Sequence, residues 1–327
     1  MRKFLKFKTL YAGLLIVLIT LLVSCSSDET YDFPGDSNNR VYLNGSDNYS
    51  FSVYHTPIGS LGDIKAMFPA FCTREASTDL KVSFAVDTTL VSAYNKTHST
   101  QYSAIPSDLV VFSGNGLTIA KGSRISQDSL TVTIPENLSK LKDEKYLVPI
   151  TISTLSNADN AAASTNKNVV YLTINTFNTN CFNSPVQSDM VGTLIQNRTA
   201  WTASLNITAY YNALSRLFDG STTTYSYVYP SQPCALTIDM ASEYKGITGI
   251  RTNSYSASYG ITKANIYSSS DGVTWTSQGI ANLSTASAYQ YIKFYSPISA
   301  RYIKLEVTAY RSTYYIRFGE FDVYTNN

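Results

Sequence analysis

A period-two alternation recurs along this chain, and no long amphipathic helix interrupts it. Val82-Ser83-Phe84-Ala85-Val86, Leu130-Thr131-Val132-Thr133-Ile134 and Val169-Val170-Tyr171-Leu172-Thr173-Ile174 all alternate. So does Arg301–Val307, with Tyr302, Lys304 and Glu306 on one face and Ile303, Leu305 and Val307 on the other. Successive side chains of a strand point to opposite faces, so these runs read as half-buried strands. Thr89–Asn95 has room for a single helical turn. The 327 residues are too many for one sandwich and predict two all-β domains. Pro149, inside Tyr146-Leu147-Val148-Pro149-Ile150, lacks an N–H and predicts an edge strand or a bulge. Asp271-Gly272 predicts a tight hairpin, because Gly accepts a positive φ. Trp201 and Trp275 are expected in the core.

Composition narrows function. Hydrophobic residues make up 44%, enough for a core. Four basic residues (Arg2, Lys3, Lys6, Lys8) sit in the first 24 positions; without them 21 basic side chains face 23 acidic ones. Neither half has the basic density that nucleic-acid binding needs. Histidine occurs only at His55 and His98, so a Ser-His-Asp triad or a His-rich zinc site cannot be built after residue 180. Only eight acids follow residue 180, and several sit at turn or strand positions, which argues against a glycosidase. Tyrosine is the anomaly: of 26 copies, eight lie in residues 25–180 and seventeen in 181–327.

The N-terminus has a compartment signal. A basic stretch is followed by apolar residues 9–23, too short to span a bilayer and of signal-peptide length. Leu22-Val23-Ser24-Cys25 resembles a bacterial lipobox, which implies a signal peptide over 1–24 and lipidation of Cys25. Ser26-Ser27-Asp28-Glu29 resembles the surface-export signal of Bacteroidetes lipoproteins. The expectation is a tether over 25–40 and a lipid-anchored protein on the outer face of the outer membrane. Three cysteines remain. Cys72 reads as a buried thiol, and oxidising surroundings permit a disulfide between Cys181 and Cys234.

Two family resemblances follow from the motifs. Val82-Ser-Phe-Ala-Val-Asp87, Leu90-Val91, Tyr94-Asn95, Lys121-Gly122-Ser123 and Tyr146-Leu-Val-Pro-Ile150 resemble an uncharacterised immunoglobulin-like module of Bacteroidetes surface lipoproteins. That family often sits in polysaccharide-utilisation loci, and the likeness covers a β-sandwich over 41–177, implying a spacer or docking module. A linker over 178–185 follows. Trp201-Thr-Ala-Ser204, Leu217-Phe218-Asp219-Gly220, Leu236-Thr-Ile-Asp239-Met240, Ile266–Trp275, Ala300–Leu305 and Gly319-Glu320-Phe321-Asp322-Val323-Tyr324 resemble the coagulation factor 5/8 type C (discoidin-like) domain. This implies a jelly-roll β-sandwich of about eight strands over 186–327.

The second resemblance implies sites. In that family the Asp-Gly loop and the Glu before the final strand meet at a calcium ion, here Asp219, Thr224 and Glu320 with backbone carbonyls near Arg216 and Ser221. The alternative is an Asp turn cap and a Glu paired with Arg317 or another base. Sugar-binding relatives build their site from loops at one end of the sandwich. Tyr210, Tyr211, Tyr225, Tyr227, Tyr229, Tyr255, Tyr259, Tyr310, Tyr314 and Tyr315 fall in segments read as loops. Tyrosine rings stack on sugar C–H faces while their hydroxyls bond sugar oxygens. The candidate carbohydrate site is Tyr225, Tyr227, Tyr255, Tyr259, Tyr310, Arg311 and Tyr314, with Arg311 able to grip a hydroxyl or carboxylate. The expected function is non-catalytic capture of glycan for a neighbouring importer or glycosidase. A protein-binding adhesion or assembly role is the alternative, since aromatic loops also suit protein hot spots.

Overall fold

The computed structural model describes residues 38–44, 49–158, 160–207, 213–229 and 234–326. The leader, Cys25 and most of the tether lie outside the described residues, as do Tyr210 and Tyr211. Among the described residues no helix is long and apolar enough to cross a membrane.

The first half is a β-sandwich. Its larger sheet runs in the order Gly59–Leu61, Tyr49–Thr56, Val169–Asn178, Lys145–Ser156, Leu80–Val86, Leu117–Ile119, with Ser103–Ala104 joined to Lys145–Ser156. Two three-stranded sheets complete it: Ala161–Ala163, Asn39–Leu43 and Ala70–Cys72; and Lys65–Phe68, Leu130–Thr133 and Val111–Phe112. Val41, Phe68, Val82, Leu130, Ile150 and Leu172, drawn from all three sheets, meet in one core. Each such burial contributes roughly 1.5–3 kcal/mol. The alternation of Leu130–Thr133 is realised as predicted, with Leu130 and Val132 buried.

Two local expectations change. Pro149 is not on an edge: its strand lies between Val169–Asn178 and Leu80–Val86, with Pro149 opposite Tyr171. Its carbonyl accepts from Asp87 N at 3.0 Å, and the bulge falls further on, between Ile152 and Thr154. The helical turn is a nine-residue helix, Leu90–His98, closed by Ser99 at φ 55°. Asn95 Oδ1 ties its end by accepting from Thr100 Oγ1 (2.9 Å) and Tyr102 N (2.9 Å).

The second half is a jelly-roll sandwich built around two long bent strands, Cys234–Asn253 and Tyr289–Tyr310. They pair in two runs, Cys234–Asp239 with Tyr302–Val307 and Gly249–Asn253 with Tyr289–Lys293, with register shifts between. Strands that bend this way carry the chain round a corner of the sandwich. Phe321–Thr325 and Thr193–Leu194 extend one side, and Ile261–Ser269 and Thr276–Asn282 the other. The core holds Trp201, Ile238, Ile250, Ile266, Leu305 and Phe321.

The Asp271-Gly272 turn forms as predicted, with Gly272 at φ 77°. Asp271 Oδ1 accepts from Val273 N and Thr274 N, both at 2.8 Å. These backbone N–H groups, with Ser269, pull the Asp271 carboxyl down to about 2. Trp275 is half-buried rather than core. It lies on the outer face, where Lys304 Nζ sits 4.3 Å from its ring and 4.6 Å from that of Tyr267.

No disulfide joins Cys181 to Cys234; Cys72, Cys181 and Cys234 are separate buried thiols. The reason is placement on the long strand Tyr289–Tyr310. Cys181 bridges to Phe294 and Cys234 pairs with Val307, thirteen residues further along. A disulfide needs Cα atoms within ~7 Å. Burial pushes the Cys181 thiol up to about 12 and Cys234 to about 11.

Residues 178–185 are paired on both sides. Thr179 N donates to His55 O (2.9 Å) in the first half. Asn180 N donates to Gln278 O (2.7 Å), and Tyr295 N donates to Asn180 O (2.8 Å), in the second. The buried Asn180 amide also bonds Gln278 Oε1, Ser296 O and Ser296 N. Phe182 stacks on Tyr295 at 3.9 Å.

Candidate functional site

The site begins with a two-stranded ribbon, Ser226–Val228 against Ile316–Phe318, in which Tyr227 faces Arg317. Alternation sorts the side chains. Ser226, Val228, Ile316 and Phe318 are buried, while Tyr225, Tyr227, Tyr229, Tyr315 and Arg317 project on the other face. Ser226 Oγ is satisfied by donating to Ala213 O at 2.8 Å.

Two loops bring further rings to this face. Tyr255 holds φ 65°, an uncommon backbone for a bulky residue. The buried Asn253 offsets that strain: its Oδ1 accepts from Tyr255 N at 2.7 Å, its N donates to Glu320 O, and its O accepts from Gly319 N. Tyr259 ends the short 3-10 turn Ala257–Tyr259. Just beyond it, the buried Gln290 holds Ile261 through both backbone groups and donates to Ser284 O. Arg311 N donates to Gly260 O at 3.0 Å, which locks the loop after Tyr289–Tyr310 onto the same base.

The result is an aromatic cage around one cation. The Arg317 guanidinium carbon lies 3.8 Å from the Tyr259 ring centre, 4.2 Å from Tyr225, 5.0 Å from Tyr255 and 5.3 Å from Tyr315. Tyr259 and Tyr315 stack at 4.9 Å and 12°. Tyr227 packs on Tyr315 at 5.2 Å, and Tyr229 meets both edge-on. Each cation–π contact contributes roughly 0.5–2 kcal/mol, so the rings brace one another before any ligand arrives. The Tyr259 and Tyr315 hydroxyls act on one another, which raises the Tyr259 phenol and lowers that of Tyr315, and Arg317, whose Nη2 reaches the Tyr315 hydroxyl at 3.4 Å, adds to the latter.

Beside this stacked pair runs an open groove of about 350 Å³, lined by Ser258, Tyr259, Arg311, Tyr314 and Tyr315. Tyr314 stands at its side, 72% exposed. Arg311 is exposed, and its Nη1 donates to Thr285 O at 3.1 Å. Beneath the cage, Arg317, Thr252 and Glu320 line a void of about 10 Å³, the size of one water. Arg317 Nε, Thr252 Oγ1 and Glu320 Oε1 are buried and have no hydrogen-bond partner within the protein.

Tyr225, Tyr227, Tyr255 and Tyr259 thus come together. Tyr310 does not join them: it pairs with Ile261 and packs against the core. Tyr229, Tyr315 and Arg317 complete the cage and were absent from the sequence-derived set. The signal was present in Tyr225-Ser226-Tyr227-Val228-Tyr229 and Tyr315-Ile316-Arg317-Phe318, both strictly alternating. Reading these stretches as loops hid a ribbon.

The calcium candidates form a turn and a buried ion-pair network. Asp219 accepts from Ser221 N (2.8 Å) and from Thr224 Oγ1 (2.7 Å), and Ser221 Oγ turns to Thr223. Arg216 Nη1 reaches Tyr225 O at 3.4 Å. Glu320 pairs with Arg198, not Arg317: Arg198 Nη1 lies 2.7 Å from Glu320 Oε2 and 2.8 Å from Asp322 Oδ1. Burial pushes Glu320 up to about 7 against the pull of Arg198, and the adjoining Asp219 carboxyl adds to the rise. Burial acts on Asp219 too, but bonds from Thr224 and Ser221 hold it below its usual value. Two neighbouring carboxyls, with one oxygen lacking a protein donor, fit a hard cation.

Comparison with known proteins agrees with this architecture. Residues 199–320 match the F5/8 type C domain, and residues 36–159 match a family model described as an N-terminal domain. The chain therefore carries a C-terminal F5/8 type C domain behind a separate N-terminal module. A two-domain protein of unknown function from Bacteroides fragilis shares the fold at 18% identity and a TM-score of 0.56, over 88% of this chain and 94% of that one. A family 32 carbohydrate-binding module of C. perfringens NanJ, solved with galactose, matches 41% of this chain and 99% of its own length, at 21% identity and a TM-score of 0.37. The CBM32-1 module of a family 31 glycoside hydrolase from Clostridium perfringens matches 39% and 96%, at 23% identity and a TM-score of 0.35. No curated protein matches the chain.

Proposed function

We propose that this protein is a non-catalytic glycan-binding lipoprotein, anchored at the outer-membrane surface through Cys25, that captures glycan for a neighbouring importer or glycosidase. The observation that carries the reading is the cage of tyrosines around Arg317 beside an open groove. Stacked phenol rings offer flat apolar faces for sugar C–H groups and hydroxyls for sugar oxygens. A shallow groove with few anchors suits weak single-site binding, strengthened by many copies on one surface. The acids nearest the cage support absence of catalysis. Glu320 is only 5% exposed and is engaged with Arg198, so it cannot flank a glycosidic bond.

A glycan array with the purified protein tests this. Tyr259→Ala removes one ring of the stacked pair and is expected to weaken the best hit by about tenfold. Tyr259→Phe keeps the ring and is expected to lose less. Binding to no glycan, with capture of a protein partner at the same face, would replace this reading with the adhesion role.

Calcium at Asp219 and Glu320 belongs to the same proposal. Asp219, Glu320 and the carbonyls of the 216–224 turn would hold it, and its charge would relieve two adjoining carboxylates. Its role is to brace the turn that leads into Tyr225, not to do chemistry. Calcium at one hundred times its Kd is expected to stabilise the domain by about 2.7 kcal/mol, seen as a rise in Tm after chelator treatment. Asp219→Ala is expected to abolish the rise. An unchanged Tm and no heat on titration would remove calcium from the account.

A further inference from the structure

Charge is distributed unevenly among the arginines of the second half. Arg198, Arg251 and Arg301 each lie within 2.9 Å of a carboxylate: Glu320 and Asp322, Asp322, and Asp239. Arg317 and Arg311 have no carboxylate partner among the described residues. Glu320, which shares the void beneath Arg317, is taken up by Arg198. Arg216 likewise has no ion-paired carboxylate among the described residues and bonds the Tyr225 carbonyl instead, but Arg317 and Arg311 share one ring pair. Arg317 sits over Tyr259 at 3.8 Å and over Tyr315 at 5.3 Å, and Arg311 lines the groove that the same two tyrosines help to form.

We propose that the site selects an acidic glycan, with a uronate or sialate carboxylate meeting Arg311 or Arg317 while its ring stacks on the tyrosines. This rests on the glycan-binding reading above and adds the ligand's charge. Guanidinium and carboxylate are planar and match in a two-point hydrogen bond, which a neutral hydroxyl cannot reproduce. The rings also exclude water from one side of Arg317, which strengthens its attraction for an anion. A neutral sugar would leave both cations uncompensated.

The test is an array of neutral, uronate-bearing, sialylated and sulfated oligosaccharides, followed by calorimetry of a bound acidic glycan and its carboxyl-reduced form. The bound set is expected to be acidic, and carboxyl reduction is expected to weaken binding by about tenfold. Raising salt from about 0.1 M to about 1 M is expected to weaken the acidic form more than the reduced one, because screening acts on the charge. Arg317→Gln is expected to remove the difference between the two forms; Arg311→Gln, at an exposed position, serves the same purpose if the first variant disturbs the cage. Equal affinity for the two forms, or a bound set that is wholly neutral, overturns the selection and leaves glycan binding in place. Binding of sulfated glycans alone overturns the carboxylate assignment. Binding of no glycan overturns both readings together.

Discussion

Arg198→Met is expected to lower the Tm of the C-terminal domain by on the order of 10 °C, measured by differential scanning calorimetry. Arg198 Nη1 touches Glu320 Oε2 at 2.7 Å, Asp322 Oδ1 at 2.8 Å and Phe321 O at 2.9 Å. Glu320 and Asp322 are about 5% exposed or less, so water cannot replace the lost partner. Removing one member of a buried ion pair leaves an uncompensated charge and costs about 3–5 kcal/mol. Asp322 keeps Arg251 at 2.8 Å, so the heavier burden falls on Glu320. Arg198→Met combined with Glu320→Gln should recover part of the loss. A single variant that melts within a degree of the parent would show that the network is solvated and that the burial argument fails.

Gly279→Ala is expected to be of similar size and to act elsewhere. Gly279 has φ 92°, and a Cβ there would meet Thr179 Cα at 2.6 Å. The obstacle is backbone, so a rotamer change cannot relieve it. Strain at a positive φ adds to overpacking, and together they cost about 3 kcal/mol or more. Because Thr179 begins the segment that docks on the second half, the expected signature is early proteolytic cleavage within 178–185. Wild-type resistance at that segment in the variant would contradict the docking described for Asn180 and Phe182.

Much of this architecture was legible because alternation is a local signal. Leu130–Ile134 and Arg301–Val307 show their buried faces residue by residue. The Asp271-Gly272 turn is likewise local, since its geometry depends on two adjacent residues. Other features depend on what lies across the sheet. Pro149 reads as an edge residue until two neighbours are seen on either side. Trp275 reads as core until Lys304 is found over its ring. Cys181 and Cys234 look like partners until their positions along one long strand separate them.

The site shows the same division. Tyrosine density after residue 180 falls in the half of the chain that carries the aromatic cage, and four chosen tyrosines converge there. Their centre, Arg317, was missed because a cation between aromatic rings has no spacing rule. It is visible only when the ribbon sets Arg317 opposite Tyr227 and the loops bring Tyr255 and Tyr259 beneath it.

That ribbon has a further consequence. Its two strands, Ser226–Val228 and Ile316–Phe318, are far apart in the chain, and the Tyr259 loop belongs to neither. On the glycan-binding proposal, a sugar resting on Tyr259 and Tyr315 beside Tyr227 would act as a reversible cross-link between three distant segments. Closing loops of that length is entropically costly for an open chain, so a bound ligand resists their separation. Occupancy would then be written into the amides of the ribbon as slower hydrogen exchange, making the end of the sandwich a gauge of capture.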